Sequence, residues 1–110
     1  MEFLNKVILR GIVGSIHRTP IESGAKHSFR FSIMTQHCLF NAAGESIVEC
    51  MWMNVVGVES HKMNTADIKR GSKVEVKGRL RNITYADTEG NQRSSFDICP
   101  SEIRLLDDSQ

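Results

Sequence analysis

The sequence predicts an all-β domain in which five strands form a partly open barrel. Short stretches rich in Val, Ile and Phe alternate between apolar and polar residues, and clusters of Gly, Asn, Asp or Pro separate them. The 110 residues suffice for one domain, and 40% hydrophobic with 25% charged residues is typical of a globular protein. We therefore expect one domain over residues 1–106 and a short polar end at 107–110.

The five predicted strands follow one another with turn signals between them. Their expected bounds are residues 5–14, 26–36, 46–58, 72–82 and 93–99. Gly11 and Gly14 in the first strand suggest a bend or bulge. Turn residues stand at Thr19-Pro20 and at 22–24, 41–44 and 87–91, and the last two segments are expected to close hairpins.

Alternation assigns faces to the second, fourth and fifth strands. The residues expected to face the core are Phe29, Phe31, Ile33, Val74, Val76, Leu80, Phe96 and Ile98. Those of the fourth strand expected to face solvent are Lys73, Glu75, Lys77, Arg79 and Arg81. The third strand, 46–58, is nearly continuously apolar, which suggests that a partner as well as the core covers it.

The segment between the third and fourth strands has a different pattern. Residues 59–69 are mainly polar, with Met63, Ala66 and Ile68 between them, which favours a short helix that ends before Gly71. Five strands with a helix between the third and fourth is the order of the OB-fold, a barrel that binds oligonucleotides on one face. Other small β-barrels remain open at this point.

Positive charge is concentrated in one segment. The formal net charge is +1, yet residues 69–81 hold six cations against Glu75 as the one acid. These cations are Lys69, Arg70, Lys73, Lys77, Arg79 and Arg81. Such a cluster favours nucleic-acid binding, although charged residues on a strand also protect a sheet edge from aggregation.

Catalysis, metal binding and secretion find no support in the sequence. Three cysteines without C-x-x-C spacing indicate a reducing compartment, and the four histidines are scattered. The sequence has no H-E-x-x-H motif, phosphate-binding Gly-rich loop or nucleophile elbow. We therefore expect that the protein is not an enzyme and binds no metal or cofactor. Lys6 and Arg10 interrupt the first apolar run, which argues against a signal peptide or membrane span and for the cytoplasm.

Five motifs in the same order resemble the bacterial single-stranded-DNA-binding protein family. The motifs are N-K-V-I-L-R-G-I-V-G at 5–14, C-M-W-M-N-V-V at 50–56, R-G-S-K-V-E-V-K-G-R-L-R at 70–81, Y-A-D-T-E-G-N-Q-R at 85–93 and S-E-I-R-L-L at 101–106. The resemblance implies an OB-fold that binds single-stranded DNA without sequence readout. It also implies a protective role in DNA replication, recombination or repair.

The resemblance further implies which residues contact DNA. Trp52 aligns with a tryptophan that stacks on a base, and Tyr85 aligns with a hairpin tryptophan. Another family tryptophan has no counterpart, and Phe40 is the nearest aromatic residue. The remaining expected contacts are Asn54, Lys6, Lys69, Arg70, Lys73, Arg79 and Arg81. From composition alone, Trp52 would be assigned to the core and Tyr85 to a half-buried cap on it.

Assembly and an alternative function complete the expectations. Family members are generally homotetramers, and the apolar first and third strands support an oligomer here. Met53 stands where the family has a histidine at a subunit contact, so a dimer remains open. The alternative function is a protein-interaction module related to primosomal restart proteins. Such a module would dock on replication or repair proteins, with DNA contact secondary.

Overall fold

The chain folds into a closed five-stranded barrel. A computed structural model describes residues 1–21 and 26–106, so the predicted turn at 22–24 and the polar end at 107–110 lie outside the described residues. The strands are β1 (Val7–Pro20), β2 (His27–Phe40), β3 (Ser46–Val58), β4 (Lys73–Ala86) and β5 (Gln92–Leu105). They are paired in the order β1-β2-β3-β5-β4, and β4 returns to β1.

The predicted all-β fold is confirmed, but the barrel is closed rather than partly open. Closure depends on the parallel joint between β3 and β5, where the paired residues are Asn54 with Asp97 and Val55 with Ile98. The other joints are antiparallel and longer. The predicted bulge in the first strand is present, because the β1–β2 register shifts between Val13 and Ile16, around Gly14.

Two hairpins extend beyond the barrel. We call residues 36–50 the β2–β3 arm and residues 82–96 the β4–β5 arm; pairing continues to Phe40–Ser46 in the first and Ala86–Gln92 in the second. Their tips lie at the predicted turns. Oδ1 of Asn41 accepts hydrogen bonds from backbone N–H groups of the first turn, and Oδ1 of Asp87 does so in the second.

The core follows the predicted alternation inside the barrel and departs from it in the arms. Its buried apolar residues are Val13, Phe29, Phe31, Ile33, Val55, Ile68, Val74, Val76, Ile98 and Ile103. The assignment of Phe96 to the core is wrong, because Phe96 is 53% exposed. It lies on the β4–β5 arm opposite Asn82, where no barrel interior lies beneath it. The assignment of Leu80 to the core is also wrong, because Leu80, two residues before this arm, is exposed.

The predicted helix between β3 and β4 is absent, and that prediction is wrong. The segment consists of turns and one isolated bridge between Ser60 and Met63. Local side chains accept hydrogen bonds from the backbone here: Ser60 Oγ accepts from the Lys62 N–H, and Asn64 Oδ1 accepts from the Ala66 N–H, which a helix would use in its own hydrogen bonds. In the described part of the chain, no helix is long and apolar enough to cross a membrane.

A buried carboxylate fixes this segment across one end of the barrel. Glu59 accepts hydrogen bonds from the hydroxyl of Thr65 at 2.6 Å, the Thr65 N–H at 3.0 Å, Arg18 at 3.1 Å and the His27 N–H at 3.0 Å. The Thr65 hydroxyl is the main reason why the pKa of Glu59 falls from 4.5 to about 2, against the opposing effect of burial. The loop therefore gains a fixed position through one charged group.

Candidate nucleic-acid interface

Strand register places several expected site residues on one outer face of the barrel. Residues directly opposite each other on paired strands share a face. Trp52 on β3 lies opposite Met34 on β2, and Asn54 lies next to Asp97 on β5. Asp97 in turn lies opposite Arg81 on β4. The outer face is therefore continuous from β2 through β3 and β5 to β4.

Trp52 lies on this face with its indole open to solvent. Its exposure of 58% contradicts an interpretation as a core residue. One edge of the ring rests on β1 at Gly14, where a β-carbon would lie 2.4 Å from Cζ3 of Trp52. Glycine at this bulge therefore provides the space that the ring occupies. The exposed ring surface is suited to stacking on a nucleobase.

The turn that precedes β4 brings Arg70 next to Trp52. The N–H of Gly71 donates to the carbonyl of Val13 at 2.8 Å, and the N–H of Val13 donates to the carbonyl of Ser72 at 2.8 Å. Gly71 adopts a φ of +92°, a backbone conformation that is strained for any residue with an L side chain. As a result, Arg70 and Trp52 line the same cavity, of about 460 Å³.

Three adjoining cavities form one continuous depression across the outer face. We call this depression the groove. The first is the cavity of about 460 Å³ next to Trp52. It shares Ser15 and Ser32 with a second cavity of about 240 Å³. The second shares Arg30 and Asn54 with a third of about 300 Å³, which Arg81 and Asp97 also line. The groove thus connects an exposed aromatic ring with three arginines, at positions 30, 70 and 81.

Four of the ten expected site residues line the groove, and two more lie along the same face on the arms. Trp52, Asn54, Arg70 and Arg81 are the four. Phe40, near the tip of the β2–β3 arm, is 73% exposed, and Tyr85, near the tip of the β4–β5 arm, is 50% exposed. Their strand positions share the parity of Trp52 and Arg81, so both belong to the outer face.

The other four expected contacts lie elsewhere. Lys6 and Arg79 line a separate cavity of about 470 Å³, together with Gly78 and residues 99–101. Lys73 lies opposite Ile12 on the β1–β4 joint, and Lys69 begins the turn that carries Arg70. The structure therefore brings only part of the basic segment to the groove.

Ion pairs reduce the positive charge that the basic segment presents. Arg81 pairs with Asp97 at 3.0 Å, and Lys77 pairs with Glu102 at 3.7 Å. Glu75, expected to face solvent, is buried instead, because guanidinium groups of Arg10 and Arg104 cover it. The hydrogen bond from Arg10 lowers the pKa of Glu75 most. The six-to-one excess of cations in the sequence thus overstates the free charge.

Sequence reasoning missed Arg30, Ser32 and Asp97 as groove residues. Arg30 and Ser32 alternate with the core residues Phe29 and Phe31, and this alternation indicates an outward face but gives no partner. Their position next to Asn54 depends on the β2–β3 register, and that of Asp97 depends on the parallel β3–β5 joint. The signal available in the sequence was the outward parity of these residues.

The sequence of this chain matches one known protein family over nearly its whole length. A profile of the single-strand binding protein family matches residues 4–106. The chain belongs to this family. The resemblance described above is thereby confirmed at the level of the family.

Single-strand binding relatives match nearly the whole chain at low identity. A single-stranded DNA-binding protein of Neisseria meningitidis is 25% identical over 104 residues, which cover 94% of this chain and 60% of the relative. Single-stranded DNA-binding protein 1 of Clostridium acetobutylicum is 26% identical over 108 residues and matched over 94% of each chain. The chain thus spans about 60% of the length of the Neisseria relative.

Solved structures of single-strand binding proteins share the fold. The Plasmodium falciparum SSB in complex with ssDNA superposes with a TM-score of 0.79 at 21% identity, over 97% of this chain and 98% of that chain. A deletion mutant of the single-stranded DNA binding protein from Thermus aquaticus gives a TM-score of 0.77 at 18% identity, over 96% of this chain and 51% of that chain. These likenesses establish the barrel topology.

Proposed function

We propose that this protein binds single-stranded DNA in the groove, without sequence readout and without catalysis. The observation that carries the proposal is the continuity of the groove, which joins the exposed ring of Trp52 to Arg70 at one end and to Arg30 and Arg81 at the other. Sequence-tolerant binding of single strands combines aromatic stacking with a cationic path for the phosphates. Membership of the single-strand binding protein family supports the same function.

Base stacking and phosphate neutralisation would be carried out by different residues. A base stacks on the open surface of Trp52, while Arg70, at the rim of the same cavity, neutralises a neighbouring phosphate. Tyr85 and Phe40 on the arms offer further rings along the same face. Asn54 lies between the two ends of the groove, where its amide is able to hydrogen-bond to a base or a phosphate. The biological role we infer is protection of exposed DNA in replication, recombination or repair.

We also propose that the protein is a homo-oligomer, with a tetramer as the usual assembly of the family. Apolar side chains remain exposed on the outside of β1 and β3, including Ile8 at 50% and Val48 at 60%. Apolar surface of this kind is commonly covered by a partner. Met53 stands where the family has a histidine at a subunit contact. It packs against the core of its own barrel. A dimer is therefore the alternative assembly.

A protein-interaction module is the second candidate function. The observation that favours it is the apolar character of the β2–β3 arm, where Phe40 and Val48 are exposed. Replication or repair proteins are the partners that such a surface would serve. The cytoplasm is the location we propose, because Cys38, Cys50 and Cys99 are free thiols, as expected in a reducing compartment.

The salt dependence of binding to a fluorescently labelled oligo(dT) tests the proposed function. For single strands the log–log slope of affinity against salt is about −0.7 per phosphate contact. Arg70→Gln should make the slope less steep by about 0.7, because Arg70 lines the groove. Arg104→Gln is the matched control, since it removes the same charge from the β5 strand beside Glu75. A slope near zero in the unmodified protein would favour the interaction module.

A further inference from the structure

An arginine and an aspartate on the groove form a pair of fixed geometry. Nε of Arg81 donates to Oδ1 of Asp97 at 3.0 Å, and Nη2 donates to Oδ2 at 3.0 Å. The Asp97 side chain is only 6% exposed, whereas the Arg81 side chain is 37% exposed. Two parallel hydrogen bonds hold the guanidinium in one plane. Two of the five N–H donors of the Arg81 guanidinium bond to Asp97, so three remain for another ligand.

Arg81 lines a cavity that a second arginine also lines. This third cavity of the groove, about 300 Å³, has Arg81, Asp97, Asn54 and Arg30 among its polar lining residues, and its apolar lining residues include Phe96. Among residues 1–21 and 26–106, no carboxylate lies within ion-pair distance of Arg30. Two guanidinium groups and an amide around one cavity match the oxygen atoms of a phosphate.

We propose that this cavity binds one backbone phosphate of the single strand, and that Asp97 is a positioning residue for Arg81. The inference rests on the proposed function and adds to it the site of one phosphate. Arg30 and the free edge of Arg81 contact the phosphate oxygens, while Asp97 contacts only Arg81. An acidic group on a DNA-binding face repels phosphate unless a cation neutralises it. The value of Asp97 to binding therefore depends on Arg81.

A double-mutant cycle tests this dependence, with Asp97→Asn, Arg81→Gln and the double variant. Affinity for labelled oligo(dT) is measured by fluorescence anisotropy at one low salt concentration. Arg81→Gln should weaken binding about tenfold, the effect of losing one charge-assisted contact. Asp97→Asn should weaken binding about threefold when Arg81 is present, because the guanidinium loses its fixed orientation. In the Arg81→Gln background, the same change should strengthen binding, because it removes an unpaired carboxylate from the phosphate path.

The opposite effects of Asp97→Asn in the two backgrounds distinguish a positioning role of Asp97 from simple repulsion of DNA. If Asp97→Asn strengthens binding in both backgrounds, Asp97 only repels DNA and the proposal is wrong. If it changes binding in neither, the pair lies off the path of the strand and the proposal is equally wrong. Absence of any oligo(dT) binding by the unmodified protein would instead refute the proposed function itself.

Control variants separate these effects from damage to the fold. Glu75→Gln breaks an equally buried carboxylate–arginine pair on β4, outside the groove, and should leave oligo(dT) affinity unchanged. Far-UV circular dichroism reports whether each variant keeps the barrel. Should Arg81→Gln fail to fold, Arg81→Lys keeps the charge and loses the planar fork. Arg81→Lys should still weaken binding, and wild-type affinity in that variant would overturn the proposal.

Discussion

Replacement of Glu59 by Gln should destabilise the barrel and change its acid sensitivity. Glu59 is held by hydrogen bonds from Thr65, Arg18 and His27, and it fixes the loop that leads to Arg70. The variant keeps the size and shape of the side chain but loses its charge. It therefore removes the charge, and its amide NH2 cannot accept the hydrogen bonds made to one carboxylate oxygen, while the packing of the loop stays almost unchanged.

The expected loss follows from the pKa of Glu59, which is lowered from 4.5 to about 2. A difference of this size corresponds to an upper bound of about 3 kcal/mol. Arg18 and His27 are open to water on one side, so we expect about 1–2 kcal/mol after solvent screening. Because the folded pKa is below the unfolded pKa, this stability is fully present above about pH 4.5 and is lost as the pH falls towards 2.

Urea denaturation followed by far-UV circular dichroism measures the effect at pH 7 and pH 3. At pH 7 the variant should unfold about 1–2 kcal/mol more easily than the unmodified protein, and at pH 3 the gap should narrow. Glu49→Gln, on the exposed β2–β3 arm, is the control and should change neither value. Equal stability of Glu59→Gln and the unmodified protein at pH 7 would refute the reasoning.

Three further predictions concern the ring surface and the assembly. Gly14→Ala places a β-carbon in the space of the Trp52 ring, so it should shift tryptophan emission in the free protein and weaken oligo(dT) binding; unchanged emission would contradict the contact. Tyr85→Ala and Phe40→Ala should each weaken binding by about 1–3 kcal/mol if their rings stack on bases, measured by anisotropy, and wild-type affinity in either variant would remove that residue from the site. Light scattering at micromolar concentration should show a tetramer; a dimer would leave half of the assembly prediction standing, and a monomer would overturn it.

The barrel was largely predictable because its strands and turns carry local signals. Alternation of apolar and polar residues identified Phe29, Phe31 and Ile33 as core, and turn residues marked both hairpin tips. Alternation states which face a residue occupies, however, and not whether a core lies beneath that face. Phe96 alternates correctly and is still exposed, because its strand has passed the edge of the barrel.

Long-range contacts account for much of the rest. The segment predicted as a helix at 59–69 is a loop, in which Glu59 bonds to Arg18 and His27, which are distant in sequence, and local side chains of Ser60 and Asn64 bind backbone N–H groups. Trp52 was expected in the site because of the family resemblance, and its ring is exposed, as base stacking requires. Arg30 and Asp97 needed the strand register, since nothing near them in sequence shows that they share a groove.

Titration of the protein with oligo(dT), followed by tryptophan emission, tests the central claim most directly. Trp52 is the single tryptophan in the chain, and its ring forms one end of the groove. Binding in the groove should strongly quench its emission, and Trp52→Ala should weaken binding by about 1–3 kcal/mol when measured with a labelled oligonucleotide. Unchanged emission at saturating oligo(dT) would contradict the account.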